Sequence, residues 1–251
     1  MSDILVSVII PSYNEIANLR KGVLDKVERY LSKRKQKFEV IVVDDGSNDG
    51  SVEFVREFTK DHKEFTLIEN KHTGKAGAVT AGMLKAKGEY RLFADMDQAT
   101  PIEELDNLMP FFDEGYDVII GSRASRRKGS PILRQFISRA QVVLRKVIVG
   151  LPGLSDTQCG FKMFRGDIAE TLFTRVKKIH HGFKTISGSN VTSGFDIELL
   201  YLANKMGSKI KEVPVQWNYV ETRRVNPLKD SIQGVMELIT IKRNAIKGIY
   251  S

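Results

Sequence analysis

In the stretch EYRLFADMDQATP, Glu89 to Pro101, two aspartates, Asp95 and Asp97, follow directly on a short apolar run. Along an extended chain residues i and i+2 project to the same side. The two carboxylates would then stand side by side and repel each other unless a cation sits between or near them. Oxygen-only ligation with room for water suits Mg2+ or Mn2+ bound together with a substrate diphosphate. The same residues admit a plainer arrangement, in which one aspartate caps a helix beginning near Pro101 and the other is solvated.

Other polar clusters carry chemistry of their own. VVDDGSNDGS places Asp44, Asp45, Ser47, Asn48 and Asp49 after a very apolar run, where a carboxylate could meet a base or ribose, or simply close a turn. HTGKAGAV sets glycines and Lys75 at a loop-to-helix junction, suited to a diphosphate or a base. It is no Walker A loop, because Glu69 stands where the first glycine would be, and no G-x-G-x-x-G occurs. A P-loop NTPase and a dinucleotide enzyme both lose support. Asp156, in the polar turn SDTQCGF, could orient or deprotonate an acceptor, or serve only the turn. Cys159 reads as a small buried side chain rather than a nucleophile. His62, His72, His180 and His181 show no metal-ligand spacing, and Trp217 in EVPVQWNYV reads as a packing residue or a cleft-rim aromatic.

The distribution of charge is more telling than its total of +8 over 251 residues. From Val118 to Ser155 there is no acidic residue, whereas Arg123, Arg126, Arg127, Lys128, Arg134, Arg139, Arg145 and Lys146 all fall there. These basic residues equal the formal excess of the whole chain, so this stretch points to an anion-binding face. Within it RQFISRAQVVLRKVIVGL has apolar residues at helical spacing, the pattern of a helix docked on the core or lying in a membrane interface. LKDSIQGVMELITIKRNAIKGIY, near the C-terminus, has the same two readings. Base-stacking aromatics are not interleaved with the arginines, so nucleic acid is not the expected partner. A lone cysteine excludes an internal disulfide framework and fits a reducing cytoplasm. Neither a signal peptide nor a transmembrane helix is expected.

These residues need a scaffold that brings them together. Apolar runs at Leu5–Ile10, Phe38–Val43, Phe65–Glu69, Tyr90–Ala94 and Asp117–Ser122 read as strands. Between them Ile16–Lys33, Ser51–Asp61 and Lys75–Ala86 have helical period. Continuous rather than alternating apolar strands in βα order predict an α/β fold, a mostly parallel central sheet covered by helices on both faces. Ligands bind such sheets beyond the carboxyl ends of the strands, and the polar clusters after the first four strands all fall there. The Gly/Ser/Thr-rich stretch His180–Ser193 reads as a loop, and the chain as one globular domain.

In order along the chain, VIIPSYNE, VIVVDDGSNDGS, NKHTGKAGAVTAGM, LFADMDQATP, VIIGSR, DTQCGFKMF, GFDIELLYLA and EVPVQW resemble family 2 glycosyltransferases of the GT-A, Rossmann-like fold. Among these the chain is similar to polyprenyl- or dolichyl-phosphate glycosyltransferases, most of all to the dolichyl-phosphate β-glucosyltransferase branch. The resemblance covers roughly Leu5 to Asp230. It implies that residues 1–100 form a nucleotide-binding half and 101–230 an acceptor half of one domain, with an amphipathic helix over 228–251. It also implies roles. Pro11, Tyr13, Glu15, Asp45 and Lys75 would hold the nucleotide-sugar donor together with Asp95, while Asp95 and Asp97 would hold the Mg2+ or Mn2+. Arg123, Arg134 and Ser138 would bind the acceptor's phosphate, Arg224 the donor diphosphate or the acceptor phosphate, and Asp156 matches the catalytic aspartate. The implied reaction is inverting transfer of a hexose, glucose from UDP-glucose, to polyprenyl or dolichyl phosphate by an enzyme peripheral to the cytoplasmic membrane face. GDP-mannose as donor and a soluble glycan as acceptor are the alternatives. Ala99 stands where mannosyl relatives often carry glutamine, and QATP matches the glucosyl branch.

Overall fold

The computed structural model describes residues 3–123, 148–151, 153–185, 194–218 and 227–250. The five apolar runs become strands β1 (Val6–Ser12), β2 (Phe38–Asp44), β3 (Phe65–Glu69), β4 (Tyr90–Ala94) and β5 (Val118–Ser122). Helices α1 (Ile16–Leu19), α2 (Val23–Leu31), α3 (Ser51–Asp61) and α4 (Gly74–Lys85) lie between the first four, and short α5 (Leu105–Leu108) and α6 (Pro110–Asp113) precede β5. The second half adds β6 (Phe161–Arg165), α7 (Gly166–Ile179), α8 (Gly194–Lys205), β7 (Ile210–Pro214) and α9 (Pro227–Ile246). The expected amphipathic segment containing Arg134 and Ser138 lies outside the described residues, as does Arg224.

The strands form one sheet in the order β3-β2-β1-β4-β6-β5-β7. All neighbours run parallel except β6, which is antiparallel to both β4 and β5. Successive side chains of a strand point to opposite faces, and here both faces are covered. Val8 and Ile10 of β1 join one core with Leu24 and Val27 of α2, while Ile9 joins the other with Val79 and Met83 of α4 and Phe173 of α7. A strand buried on both sides has no solvent-facing position, which is why these runs are continuously apolar.

Antiparallel β6 is the departure that matters for function. A parallel sheet gathers the carboxyl ends of its strands along one edge, and an antiparallel insertion brings its amino end to that same edge. The residues leading into β6 therefore reach the end of β4, where the Asp95 amide donates to the Gly160 carbonyl at 3.1 Å. The sequence segment itself is unusual for a buried strand, since Lys162, its second residue, is wholly buried.

The helix expected over Ile16–Lys33 is interrupted. Gly22 takes φ +74°, left-handed backbone that glycine adopts without steric cost, and separates α1 from α2. A Cβ at this position would also lie 3.3 Å from the Asp25 carboxylate. Gly22→Ala should therefore destabilise the protein by about 1–2 kcal/mol in urea unfolding. A gain of about 1 kcal/mol, the result for a glycine inside an unbroken helix, would contradict this arrangement.

Candidate active site

The loops after β1, β2 and β3 are tied to each other before any ligand is considered. The Asn14 amide donates to Ser47 Oγ at 2.8 Å, the Glu15 amide to Ser51 Oγ at 3.0 Å, and the Ile16 amide to the Asp49 carboxylate at 3.1 Å. Asp44 closes its own turn by accepting the Gly46 and Ser47 amides. Asp45 is buried and accepts the Thr73 amide at 2.9 Å and the Gly74 amide at 2.7 Å, fixing the start of α4. His72 Nδ1 lies 3.0 Å from the same carboxylate, and its ring stacks on Tyr13 with centroids 4.3 Å apart. Pro11, in β1, pairs in register with Val43, and the Glu15 carboxylate accepts the Asn18 side-chain amide at 2.6 Å. Pro11, Tyr13, Glu15 and Asp45 thus share the rim over β1 and β2, where Asp45 works as a brace between loops.

Beside this rim, over β4, β6 and β5, lies a cleft of about 210 Å³ lined by Asp95, Asp97, Ala99, Thr100, Arg123, Gln158, Cys159, Gly160 and Trp217. The strand does not stay extended through the two aspartates, as the i, i+2 argument assumed. It ends at Ala94, the chain turns, and Gln98 sits at φ +49°. Both carboxylates nevertheless open on the cleft. Asp95 pairs with the Lys75 ammonium at 2.5 Å. A Cβ on Gly160 would fall 1.8 Å from Asp95 Oδ2, so only glycine lets the β6 backbone pass this close to the carboxylate. Asp97 accepts one hydrogen bond, from the Ala99 amide at 3.0 Å, and has no ion-pair partner among the described residues. Burial, with repulsion from Asp95, raises its pKa.

The donor set fits a hard divalent cation. Two carboxylates, one of them without a direct ion pair among the described residues, with no cluster of three or more histidine, cysteine or acidic ligands there, would leave the other coordination positions to water and substrate oxygens. The Cys159 thiol is buried and its pKa raised by that burial, which keeps it protonated and out of such a set.

The opposite wall is cationic. Arg123, just past β5, receives support from Asp156 through a two-pronged ion pair: Nε to Oδ2 at 2.7 Å and Nη2 to Oδ1 at 2.8 Å, with the Arg123 amide also on Oδ2. Asp156 is in turn held by β7, since its amide donates to the Glu212 carboxylate at 3.2 Å. The guanidinium lies 5.9 Å from the Trp217 ring centroid, and the Asn218 amide ties that segment to the Ala99 carbonyl at 2.7 Å. Arg123 lines the cleft opposite the two aspartates.

Two residues that sequence reasoning passed over complete the site. Lys162 Nζ donates to Asp196 Oδ1 and to the Cys159 carbonyl, each at 2.5 Å, beneath the cleft wall. Asp196 is in the first turn of α8, and both side chains are nearly or wholly inaccessible. Their signal in the sequence was a lysine inside the otherwise apolar CGFKMF and acidic residues, Asp196 and Glu198, inside the otherwise apolar GFDIELLYLA.

The sequence matches the family described as Glycosyl transferase family 2 over residues 7–173. It is 32% identical to a dolichyl-phosphate beta-glucosyltransferase of Trichomonas vaginalis, over 95% of this chain and 72% of that protein. It is 33% identical to the Drosophila melanogaster dolichyl-phosphate beta-glucosyltransferase, over 94% and 74% respectively. Among solved structures, a mannosyltransferase from Pyrobaculum calidifontis in complex with GDP-Man and Mn2+ superposes with a TM-score of 0.63 at 21% identity, over 98% of this chain and 65% of that one. Glucosyl-3-phosphoglycerate synthase from Mycobacterium tuberculosis in complex with UDP gives 0.63 at 17%, over 96% and 80%. At these identities the structures attest the fold, a GT-A-like α/β arrangement.

The Arg123–Asp156 pair has a measurable pH signature. Burial pushes the Asp156 carboxyl up, but the hydrogen bonds and charge of Arg123 outweigh it and hold the pKa at about 2, against an ordinary 3.8. The unfolded chain therefore takes up this proton more readily than the folded one. The stabilisation, about 2 kcal/mol, is complete above pH ~4 and is lost as pH falls toward ~2. Asp156→Asn should cost about 2–3 kcal/mol at pH 7 by chemical denaturation, and the gap to the unaltered protein should close between pH 4 and pH 2. A gap that stays constant over that window would contradict the assignment.

Proposed function

The chain belongs to glycosyl transferase family 2 and is a hexosyltransferase; on that premise we propose that it moves glucose from UDP-glucose to the phosphate of a polyprenyl or dolichyl phosphate at a membrane surface, inverting the anomeric carbon. The observation that carries this reading is the juxtaposition in one cleft of a cation-seeking carboxylate pair, Asp95 and Asp97, and an anion-seeking arginine, Arg123. A transfer between two phosphate-bearing substrates needs both.

Asp95 and Asp97 would hold a Mg2+ or Mn2+, which would neutralise charge on the departing diphosphate. The rim of Pro11, Tyr13, Glu15 and Asp45 receives the nucleoside, with the Tyr13–His72 stack offering a ring face. Lys75 adds a positive charge at the diphosphate. Burial disfavours its ammonium, but the carboxylates of Asp95, Asp196 and Asp97 outweigh that and keep it charged. Arg123 seats the acceptor phosphate, assisted by Arg134 and Ser138, with Arg224 at either phosphate group. A phosphate monoester has its second pKa near 6 and is largely dianionic at neutral pH, so it attacks the anomeric carbon without surrendering a proton while the bond to the diphosphate breaks. Asp156 matches that demand: with a pKa of about 2 it is a feeble base, and its contribution is to hold Arg123 in place.

The names of the relatives supply the acceptor class, and the C-terminal helix supports a membrane setting. Met236, Ile239, Ile246 and Ile249 are exposed large apolar side chains on or just beyond α9, interspersed with exposed Lys242, Arg243 and Lys247. Apolar side chains among cations suit an anionic lipid surface. No helix among the described residues is long and apolar enough to cross a membrane.

A donor and acceptor screen tests the proposal. UDP-glucose and GDP-mannose are offered with polyprenyl phosphate, in detergent and in anionic vesicles, beside a panel of soluble glycans. UDP-glucose with the lipid phosphate should be the productive pair, and Asp97→Asn should lower kcat/KM by about 10²-fold or more. Preference for GDP-mannose would overturn the donor, transfer confined to soluble glycans would overturn the acceptor, and full activity of the Asp97→Asn protein would overturn the cation's seat.

A further inference from the structure

Lys162 and Asp196 are charged residues where the sheet meets α8, under the cleft but not on its lining. Burying an ion pair is costly unless its geometry is tight and its remaining polar atoms are satisfied. Lys162 meets that condition through Asp196 and the Cys159 carbonyl. Asp196 receives Lys162 on Oδ1 and keeps about 10% of its side chain exposed. A second ammonium lies close at hand. Lys162 Nζ and Lys75 Nζ stand 5.1 and 6.0 Å from the centroid of the same Phe93 ring. Asp196 is, after Asp95, the carboxylate that most favours the charge on Lys75.

Lys75 also occupies Asp95 at 2.5 Å. A divalent cation entering between Asp95 and Asp97 must compete with that ammonium. Once displaced, the ammonium would stand beside the new charge unless another carboxylate receives it. We propose that Asp196, held by Lys162, is the second seat of the Lys75 ammonium, taken when a cation and the donor's diphosphate claim Asp95. Asp196 and Lys162 are then positioning residues: they touch neither substrate nor cation, and they set how readily Asp95 is released. The inference rests on the proposed cation–diphosphate reading of the cleft.

The test is a double-mutant cycle read by Mn2+ binding rather than by turnover. Free Mn2+ is followed by electron paramagnetic resonance as Mn2+ is titrated into protein with saturating UDP. Four proteins are compared: unaltered, Lys75→Met, the charge-conserving pair Lys162→Met/Asp196→Asn, and the triple variant. The pair should weaken Mn2+ binding roughly tenfold where Lys75 is present and leave it unchanged where Lys75 is methionine. Asp196→Glu, which keeps the carboxylate, should retain the unaltered affinity within about threefold. Should thermal melting show the pair variant to be unfolded, Asp196→Asn alone is read through the same cycle. Equal weakening in both Lys75 backgrounds, or none in either, overturns this inference and leaves the cleft's function standing. Absence of saturable Mn2+ binding by the unaltered protein with UDP and with GDP overturns the cation reading, and the second seat with it.

Discussion

Two carboxylates just past the carboxyl end of a buried strand cannot stand together without positive charge to balance them, and the arrangement of this protein's candidate site follows from that constraint. Asp95 is balanced from within, by Lys75. Asp97 has only the more distant charge of Lys75 and no direct ion pair among the described residues, and burial makes its charge the more costly. On the proposed reading this imbalance is what a cation would relieve, because a fully paired site would have no electrostatic reason to bind one. The buried Lys162–Asp196 pair beneath belongs to the same balance, being net neutral and leaving the deficit in the cleft uncorrected.

Topology decides which groups can take part. In a purely parallel sheet the neighbour of β4 would present its carboxyl end at this edge. Because β6 runs the other way, its amino end arrives there, and the preceding turn delivers Asp156, Cys159 and Gly160 beside Asp95 and Arg123. The missing Cβ of Gly160 makes that approach sterically feasible. Arg123, at the carboxyl end of β5, is then aimed by a carboxylate from that same turn, and Glu212 of β7 steadies the turn in its place. Three strands thus supply one wall, and on the proposed reading its fixed geometry would let Arg123 position a phosphate with little loss of entropy.

Much of this was legible in the residues. Continuous apolar runs identified the first five strands, and the polar clusters after the first four follow the strand ends. Other features lay beyond what pattern can express. Periodicity carries no strand direction, so the antiparallel course of β6 was hidden, and Lys162 made its segment look unlike a core strand. The split of the first helix at Gly22 depends on a backbone angle that a tolerated glycine would not reveal. Asp95 and Asp97 were brought together for a different reason from the one spacing suggests: the extended chain ends at Ala94, and a turn does what alternation would have done. In the DDGS cluster the turn reading holds, since Asp44 closes a turn and Asp45 braces the next loop. Arg134, Ser138 and Arg224 lie outside the described residues, and their roles continue to rest on resemblance.

The central claim is that the cleft takes a divalent cation and a nucleoside diphosphate together, each completing the other's site. Calorimetric titration of UDP into the protein, with Mn2+ and again with chelator, tests this most directly. The account predicts that Mn2+ tightens UDP binding at least about tenfold and that UDP tightens Mn2+ binding by the same factor, as reciprocal linkage requires. UDP affinity that is the same with Mn2+ and with chelator would contradict it.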